Sequence, residues 1–265
     1  MTPSTLAGRL GGGRRRRLAG AAVVLLSLAV LTLLYGALAP RGSAAGSTDP
    51  DVVAGKSLYV KFSCASCHGL NGEGGKRAPS IIGVGAAGVD FQMGTGRMPL
   101  QYHGAQAPRK PPVASEDEIH KVAAYVASLG PGPAIPQFDN ADWQKADTAY
   151  GGALFRTNCA QCHNFAGSGG ALTYGKFAPS LSDATPRQIY EAMITGPENM
   201  PVFGEKQLTP DQKLAIIKYV RTLKTQGNPG GFSLGQIGPV PETMVGWLVG
   251  IGLLVLVTLW IGARA

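Results

Sequence analysis

The chain begins and ends with long apolar runs, and the region between them mixes amphipathic segments with stretches rich in glycine and proline. Leu18 to Ala39 is a run of 22 residues without a charge, and Met244 to Ala263 is a run of 20. Each is long enough, at about 1.5 Å of helical rise per residue, to cross a hydrocarbon core of ~30 Å. The pattern predicts transmembrane helices over 18–39 and 244–263.

Four arginines, Arg14 to Arg17, stand directly before the first run, and Arg264 follows the second. Basic residues that flank membrane helices stay on the cytoplasmic side. Both runs therefore predict the same topology, with the region 41–243 outside the cytoplasm and both termini inside.

A cleaved signal peptide is the alternative interpretation of the first run. Its basic start fits, and Ala37-Leu38-Ala39 and Ser43-Ala44-Ala45 both look like small-residue cleavage sites. However, the apolar run exceeds the usual length of about 7–15 residues, and Pro40 would follow the first cut. We therefore expect a retained helix.

Four helix starts in the middle region carry local capping signals, and no segment alternates convincingly like a strand. The signals are Asp49-Pro50, Ser115 with Glu118, Thr185-Pro186 with Gln188, and Thr209-Pro210 with Gln212. We expect the second helix to run to about Leu129, the third to end near Thr195-Gly196 and the fourth to run to about Leu223. The fold class predicted is all-α.

The middle region is one pattern written twice, with matching landmarks in the same order at offsets of 94 to 102 residues. The pairs are Gly55 and Gly151, Cys64 and Cys159, Pro79 and Pro179, Thr95-Gly96 and Thr195-Gly196, Met98-Pro99 and Met200-Pro201, and Tyr125 and Tyr219. Such order is typical of two homologous small domains.

The repeat divides the chain into segments. These are 1–45 with the basic tip and first membrane helix, a first domain 46–130, a Pro/Gly-rich linker 131–146, a second domain 147–227, a linker 228–243 and the helix 244–263. The first copy holds extra residues from Leu100 to about Pro112, which form either a docking loop for a partner or a tolerated insertion.

The net charge of +8 reflects topology more than a binding surface. Residues 1–45 hold six arginines and no acid, whereas residues 46–241 hold 17 basic and 15 acidic residues. This near balance excludes a basic nucleic-acid surface on the middle region, and we expect no nucleic-acid partner.

All four cysteines fall into two Cys-x-x-Cys-His motifs, Cys64, Cys67 and His68, and Cys159, Cys162 and His163. This motif is the attachment signature of c-type haem. Each cysteine adds to one vinyl group, and the adjacent histidine supplies an axial ligand to the iron. We therefore expect two covalently bound haem c groups.

Other uses of paired cysteines fit less well. A thioredoxin-like pair needs a βαβ context that is not visible. Four-cysteine zinc sites usually have their pairs ~15–20 residues apart, but 91 residues separate Cys67 from Cys159. Structural disulfides would not require a histidine after each pair.

Met98 and Met200, each followed by proline after a short helix, are the candidates for the sixth iron ligand. A thioether ligand raises the iron's potential, and a closed coordination shell favours electron transfer. Met93 and Met193 also align, but they lie on the preceding helix and are expected to fill the core. His103 and His120 are expected at the surface.

With these features in place, the chain resembles the dihaem cytochrome c subunit of the actinobacterial cytochrome bcc complex, a menaquinol-oxidising complex III. The resemblance covers nearly the whole chain. It is carried by the phrases Thr95-Gly96-Arg97-Met98-Pro99, Asn158-Cys159-Ala160, Cys162-His163-Asn164-Phe165, Gly196-Pro197-Glu198-Asn199-Met200-Pro201 and Trp260-Ile261-Gly262-Ala263-Arg264-Ala265.

The resemblance implies two tandem class I cytochrome c-like domains between two membrane helices, in a translocase-type oxidoreductase of the cell membrane. It implies a cytochrome b subunit and a Rieske iron–sulfur subunit as partners, with electrons passing to the copper centre of an aa3-type oxidase. It also implies His68, Met98, His163 and Met200 as axial ligands. The alternatives are a free-standing tethered dihaem shuttle and, less in keeping with two Met-Pro loops, a dihaem peroxidase.

Overall fold

The computed structural model describes residues 9–38, 49–102, 104–226 and 239–264. His103 and most of the candidate cleavage region lie outside these ranges. The helices are α1 (Arg9–Leu38), α2 (Pro50–Lys61), α3 (Ala65–His68), α4 (Gly85–Gly94), α5 (Glu116–Ser128), α6 (Asn140–Lys145), α7 (Thr148–Asn158), α8 (Ala160–His163), α9 (Pro186–Thr195), α10 (Pro210–Thr225) and α11 (Pro239–Gly262).

The structure is mostly helical, as predicted from the capping signals and the lack of alternating segments. The strands among the described residues are β1 (Gly170–Ala171) and β2 (Phe177–Ala178), which form one short antiparallel pair. A 3₁₀ turn, Thr173–Gly175, lies between them. This small hairpin belongs to the second repeat and leaves the helical class unchanged.

The helix α11 is the one described helix that is long and apolar enough to cross a membrane, over Val240–Gly262. This agrees with the span expected over 244–263. Helix α1 forms a separate unit from the rest of the chain, and its apolar part, Leu18–Leu34, is shorter. The first membrane span therefore stays a prediction.

All four capping signals begin helices where they were predicted. Asp49 caps α2, and reciprocal capping boxes join Ser115 to Glu118, Thr185 to Gln188 and Thr209 to Gln212. A further box, Asp139 with Asp142, begins α6 inside the segment expected to be only a linker. The side chains of Phe138 and Trp143 there pack against the core of the second repeat.

A close helix crossing forms the frame of each repeat, α2 against α5 in the first and α7 against α10 in the second. Gly55 lies against the carbonyl of Lys121, and Gly151 lies against the carbonyl of Ala215. In both places a Cβ atom would collide with that carbonyl oxygen, because the two backbones touch. Glycine therefore permits the crossing at matching positions of the repeat.

An aromatic pair packs beside each crossing. The ring centroids of Tyr59 and Tyr125 are 5.3 Å apart, and those of Phe155 and Tyr219 are 5.4 Å apart. Tyr59 and Phe155 are almost fully buried at the centres of the two cores. The two repeats identified in the sequence therefore share this aromatic packing.

The two repeats pack against each other through α4 and α9. Arg187 of α9 forms an ion pair with Asp90 of α4 at 3.5 Å. Beside this pair Glu191 is 0% exposed and lies close to the Asp90 carboxyl group. Burial, with the neighbouring Asp90 adding to it, raises the pKa of Glu191 to about 9.

Within the insertion from Leu100 to Pro112, the side chains of Gln106 and Arg109 bond to the second repeat. The side-chain amide of Gln106 donates to the Phe177 carbonyl at 2.9 Å and accepts from the Phe177 amide at 2.9 Å. Arg109 donates to the Asp183 carbonyl and to Gln188, both at 3.1 Å. The insertion thus fastens the two repeats together.

We predict that Gly151→Ala destabilises the folded chain by about 1–3 kcal/mol, because the added Cβ forces α7 away from the Ala215 carbonyl. Thermal unfolding of the full chain in mild detergent, followed by circular dichroism, measures the loss. Gly204→Ala is the matched control, since a Cβ at Gly204 meets nothing within 4 Å. Equal melting temperatures for the two variants would contradict the crossing.

We predict that Glu191→Gln flattens the pH dependence of stability. The folded chain keeps a proton on Glu191 up to about pH 9, whereas an unfolded glutamate loses it near 4.5. The folded state therefore binds more protons across this window, and this residue makes stability fall as the pH rises through it. Melting temperatures between pH 5 and 9 should fall less in the variant than in the parent.

The control for this measurement is Glu205→Gln, which neutralises an exposed glutamate of the same repeat. It should leave the pH dependence of the melting temperature close to that of the parent. A Glu191→Gln variant whose melting temperature follows the parent across the whole window would show that Glu191 is not held protonated.

Candidate functional site

The two Cys-x-x-Cys-His motifs occupy matching one-turn helices. The amide of His68 donates to the Cys64 carbonyl at 2.9 Å, and the amide of His163 donates to the Cys159 carbonyl at 2.9 Å. In each copy one helical turn therefore carries both cysteines and the histidine. Neither cysteine pair forms a disulfide.

Each motif histidine is oriented by a proline carbonyl. The Nδ1 atom of His68 lies 2.8 Å from the Pro79 carbonyl oxygen, and the Nδ1 atom of His163 lies 3.0 Å from that of Pro179. Because a carbonyl oxygen can only accept, Nδ1 is the donor in both rings, and in a neutral imidazole the lone pair then lies on Nε2. This is how a backbone carbonyl prepares a histidine to bind a metal through Nε2.

Burial is the main cause of the pKa shifts of Cys64, Cys159 and His163. Burial raises the pKa of the Cys159 thiol to about 12, and burial likewise raises the pKa of Cys64. Burial lowers the pKa of His163, against the opposing effect of its bond to Pro179, so this imidazole is favoured in its neutral form. Reactive dithiols instead have lowered pKa values, which argues against a thioredoxin-like role.

Among the described residues, no three histidine, cysteine or acidic side chains are grouped so that they could hold a metal ion together.

In the second repeat, the motif opens onto an apolar cavity. Cys159, Cys162 and His163 line this cavity together with Met200. Its volume of about 260 Å³ is far more than the roughly 15 Å³ that one water requires. Most of its wall is apolar, including Leu181, Ile189, Phe203, Ile216 and Val220. A large apolar occupant that reacts with two thiols and accepts imidazole and thioether ligands fits this set of groups, and haem has that chemistry.

The two methionine pairs occupy different places. Met98 and Met200 follow α4 and α9 on loops, are partly buried, and pack against the first and second cores. Met93 and Met193 are 5% and 2% exposed and belong to the cores, as expected for filling residues. Met193 also lines the cavity, beside Met200.

The first repeat places its groups in the same way. Cys64, Cys67 and His68 are half-buried, and Cys64 and Met98 both pack against the first core. His120, on α5, is exposed, which agrees with its expected surface position.

Sequence reasoning missed four residues of the first repeat that line the cavity of the second, namely Phe91, Arg97, Gln106 and Arg109. One signal was present in the aligned repeats. Arg97 precedes Met98, whereas Asn199 precedes Met200, so the first copy holds a cation that the second lacks at this position.

Comparison with known proteins agrees with this geometry. The family model "Cytochrome c" matches residues 52–130, and the family model "Cytochrome C oxidase, cbb3-type, subunit III" matches residues 146–220. Both repeats are therefore cytochrome c domains, which implies covalently bound haem c.

Curated relatives match nearly the full chain. The "Cytochrome bc1 complex cytochrome c subunit" of Mycobacterium tuberculosis is 44% identical over 97% of this chain and 95% of its own length. That of Corynebacterium efficiens is 42% identical over 95% of this chain and 90% of its own length, and that of Mycobacterium leprae is 48% identical over 80% and 75%.

These matches also confirm the resemblance found in the sequence. They indicate an electron-transfer role within an oxidoreductase complex that is associated with a membrane. With near full-length identity above 40% and a cytochrome c domain in each repeat, the chain belongs to the family of cytochrome c subunits of the cytochrome bc1 complex.

Proposed function

We propose that the chain is a dihaem relay that takes electrons from the Rieske iron–sulfur subunit of a menaquinol-oxidising complex and delivers them to the copper centre of an aa3-type cytochrome c oxidase. The observation that carries this proposal is the histidine-to-carbonyl bond, which is present in both repeats beside a cysteine pair that forms no disulfide. A haem supplies an iron that changes its oxidation state by one electron.

Four cysteines attach the two cofactors in this proposal, Cys64 and Cys67 in the first domain and Cys159 and Cys162 in the second. His68 and His163 present Nε2 as the fifth ligands because their Nδ1 atoms are engaged with Pro79 and Pro179.

Met98 and Met200 supply the sixth ligands from their loops. A thioether on the sixth position closes the iron to small molecules and raises its potential, which suits electron transfer and disfavours a peroxidase. Both loops are braced by backbone bonds, since the Met98 amide donates to Gln92 at 3.0 Å and the Met200 amide donates to Pro197 at 3.0 Å.

The packing between the repeats supports a relay within one chain. The α4–α9 contact, the Asp90–Arg187 pair and the insertion from Leu100 to Pro112 hold the two domains together. A fixed arrangement of the domains keeps the path between the cofactors constant. Anchoring by α11 also replaces a diffusional encounter with a partner by one at high effective concentration.

The membrane arrangement completes the proposal. We infer that 18–39 forms a second, retained span, that the haem domains lie on the extracytoplasmic side, and that the cytochrome b subunit and the lipid bilayer contact the helices. The topology rests on the arginines before the first run and on Arg264 after the second.

We predict that Met200→His lowers the midpoint potential of one of two haem components, because imidazole replaces a ligand that raises the potential. A spectroelectrochemical titration of the purified chain measures both components. Met193→Leu is the matched control, since this residue lines the same cavity but lies in the core, and it should leave both potentials near their original values. A large shift in Met193→Leu with none in Met200→His would reverse the assignment.

We predict that the chain, tagged at its C-terminus and extracted from its native membrane in mild detergent, carries other subunits with it. The reduced-minus-oxidised spectrum should then show b-type and a-type haem bands beside the c-type band. A c-type band alone after gentle extraction would contradict the complex and favour the tethered shuttle.

A further inference from the structure

The first domain contributes to the cavity of the second. Phe91, Arg97, Gln106 and Arg109 all come from the first domain and line the cavity that holds Cys159 and His163. Gln106 and Arg109 are held there by their bonds to Phe177, Asp183 and Gln188. The wall of this site is therefore built by both domains.

Arg97 is the exceptional member of this group. It is 6% exposed, and its Nη1 atom has no hydrogen-bond partner among the described residues. Its guanidinium lies 5.1 Å from the ring centroid of Phe91, a contact that orients the group but does not neutralise it. Glu198 is the nearby counter-charge to Arg97, and Arg109 repels it, so neither gives Nη1 a hydrogen-bond partner. Arginine keeps its charge in proteins, and a buried polar group without a hydrogen bond is costly, so this position favours a further anion.

Most of the charged side chains that line the cavity are positive. Three cations line it, Arg97, Arg109 and Lys176, against the single carboxylate of Glu198, which leaves an excess of two positive charges. Glu198 already accepts a hydrogen bond from the Ala107 amide at 3.0 Å. A ligand that combines a large apolar body with two carboxylates matches this wall, and haem carries two propionates.

We propose that Arg97 of the first domain, with Arg109 beside it, binds a propionate of the haem attached to the second domain. The inference rests on the proposed haem at Cys159 and Cys162. It makes the second haem a shared ligand of both domains, so that binding of this cofactor also fixes the domain interface. The second domain offers no equivalent cation to the haem of the first, because the second copy has Asn199 at the position that Arg97 occupies in the first copy.

The charge of Arg97 affects the midpoint potential of the second haem. A cation close to a haem favours the reduced form, which carries one positive charge fewer at the iron. Removing Arg97 should therefore lower the midpoint potential of the second haem. The first haem should change much less, although Arg97 neighbours its ligand Met98 in the sequence.

The test is Arg97→Leu in the full chain within its purified complex, titrated spectroelectrochemically. The component that belongs to the second haem is identified as the one that falls in Met200→His. Arg77→Leu is the control, because it removes the same charge from an exposed position of the same domain. We expect a downward shift of the second component in Arg97→Leu and little shift of either component in Arg77→Leu.

The haem content, measured first by alkaline pyridine, separates the possible failures. One haem per parent chain would refute the proposed function itself. Two haems in the parent, with no shift of the second component or a shift confined to the first, would refute only the role of Arg97.

A second variant covers the case in which Arg97→Leu loses cofactor. Loss of the second haem alone would support the inference, because the substitution lies in the other domain. If both haems are lost, the Arg97→Lys variant tests the inference instead, since a lysine keeps the charge without the planar guanidinium group. A second-haem potential close to that of the parent in this variant would support a charge contact, and a shift of the first component instead would overturn it.

Discussion

A single hydrogen bond in each domain, from the motif histidine to a proline carbonyl, organises the site around it. It joins the one-turn helix that carries the cysteines to a loop 11 residues later in the first domain and 16 residues later in the second. Because Nδ1 is used in this bond, Nε2 is the ring nitrogen that remains available to a metal. In each domain a close helix crossing, α2 with α5 and α7 with α10, forms the frame around this bond, and a glycine permits each crossing.

The features that sequence could predict are those whose partners are local. The capping boxes at Ser115, Thr185 and Thr209 each depend on a residue three positions later, and all began helices as predicted. The motif from Cys159 to His163 is equally local, because its cysteines and histidine are close together in the sequence. The box at Asp139 with Asp142 obeys the same rule, although the prolines and glycines that precede it favour a linker.

The contacts between the domains could not be predicted in the same way. Gln106 meets Phe177 across 71 positions of sequence, and Ala107 meets Glu198 across 91. Nothing in the local composition of the insertion distinguishes a segment that docks within the chain from one that receives a partner. The pairing depends on the α4–α9 contact, which sets the two domains at a distance the insertion can span.

The two copies of the repeat are most alike where they hold the cofactor and most different where they touch. The bonds to Pro79 and Pro179 and the aromatic pairs are retained in both. Arg97 and the insertion, in contrast, exist only in the first copy, and Arg97 together with residues of the insertion lines the cavity of the second. A duplication by itself would yield two equivalent sites. The unequal residues at the interface give the second site a cationic wall, so two domains with matching Cys-x-x-Cys-His motifs present different electrostatic surroundings at their sites.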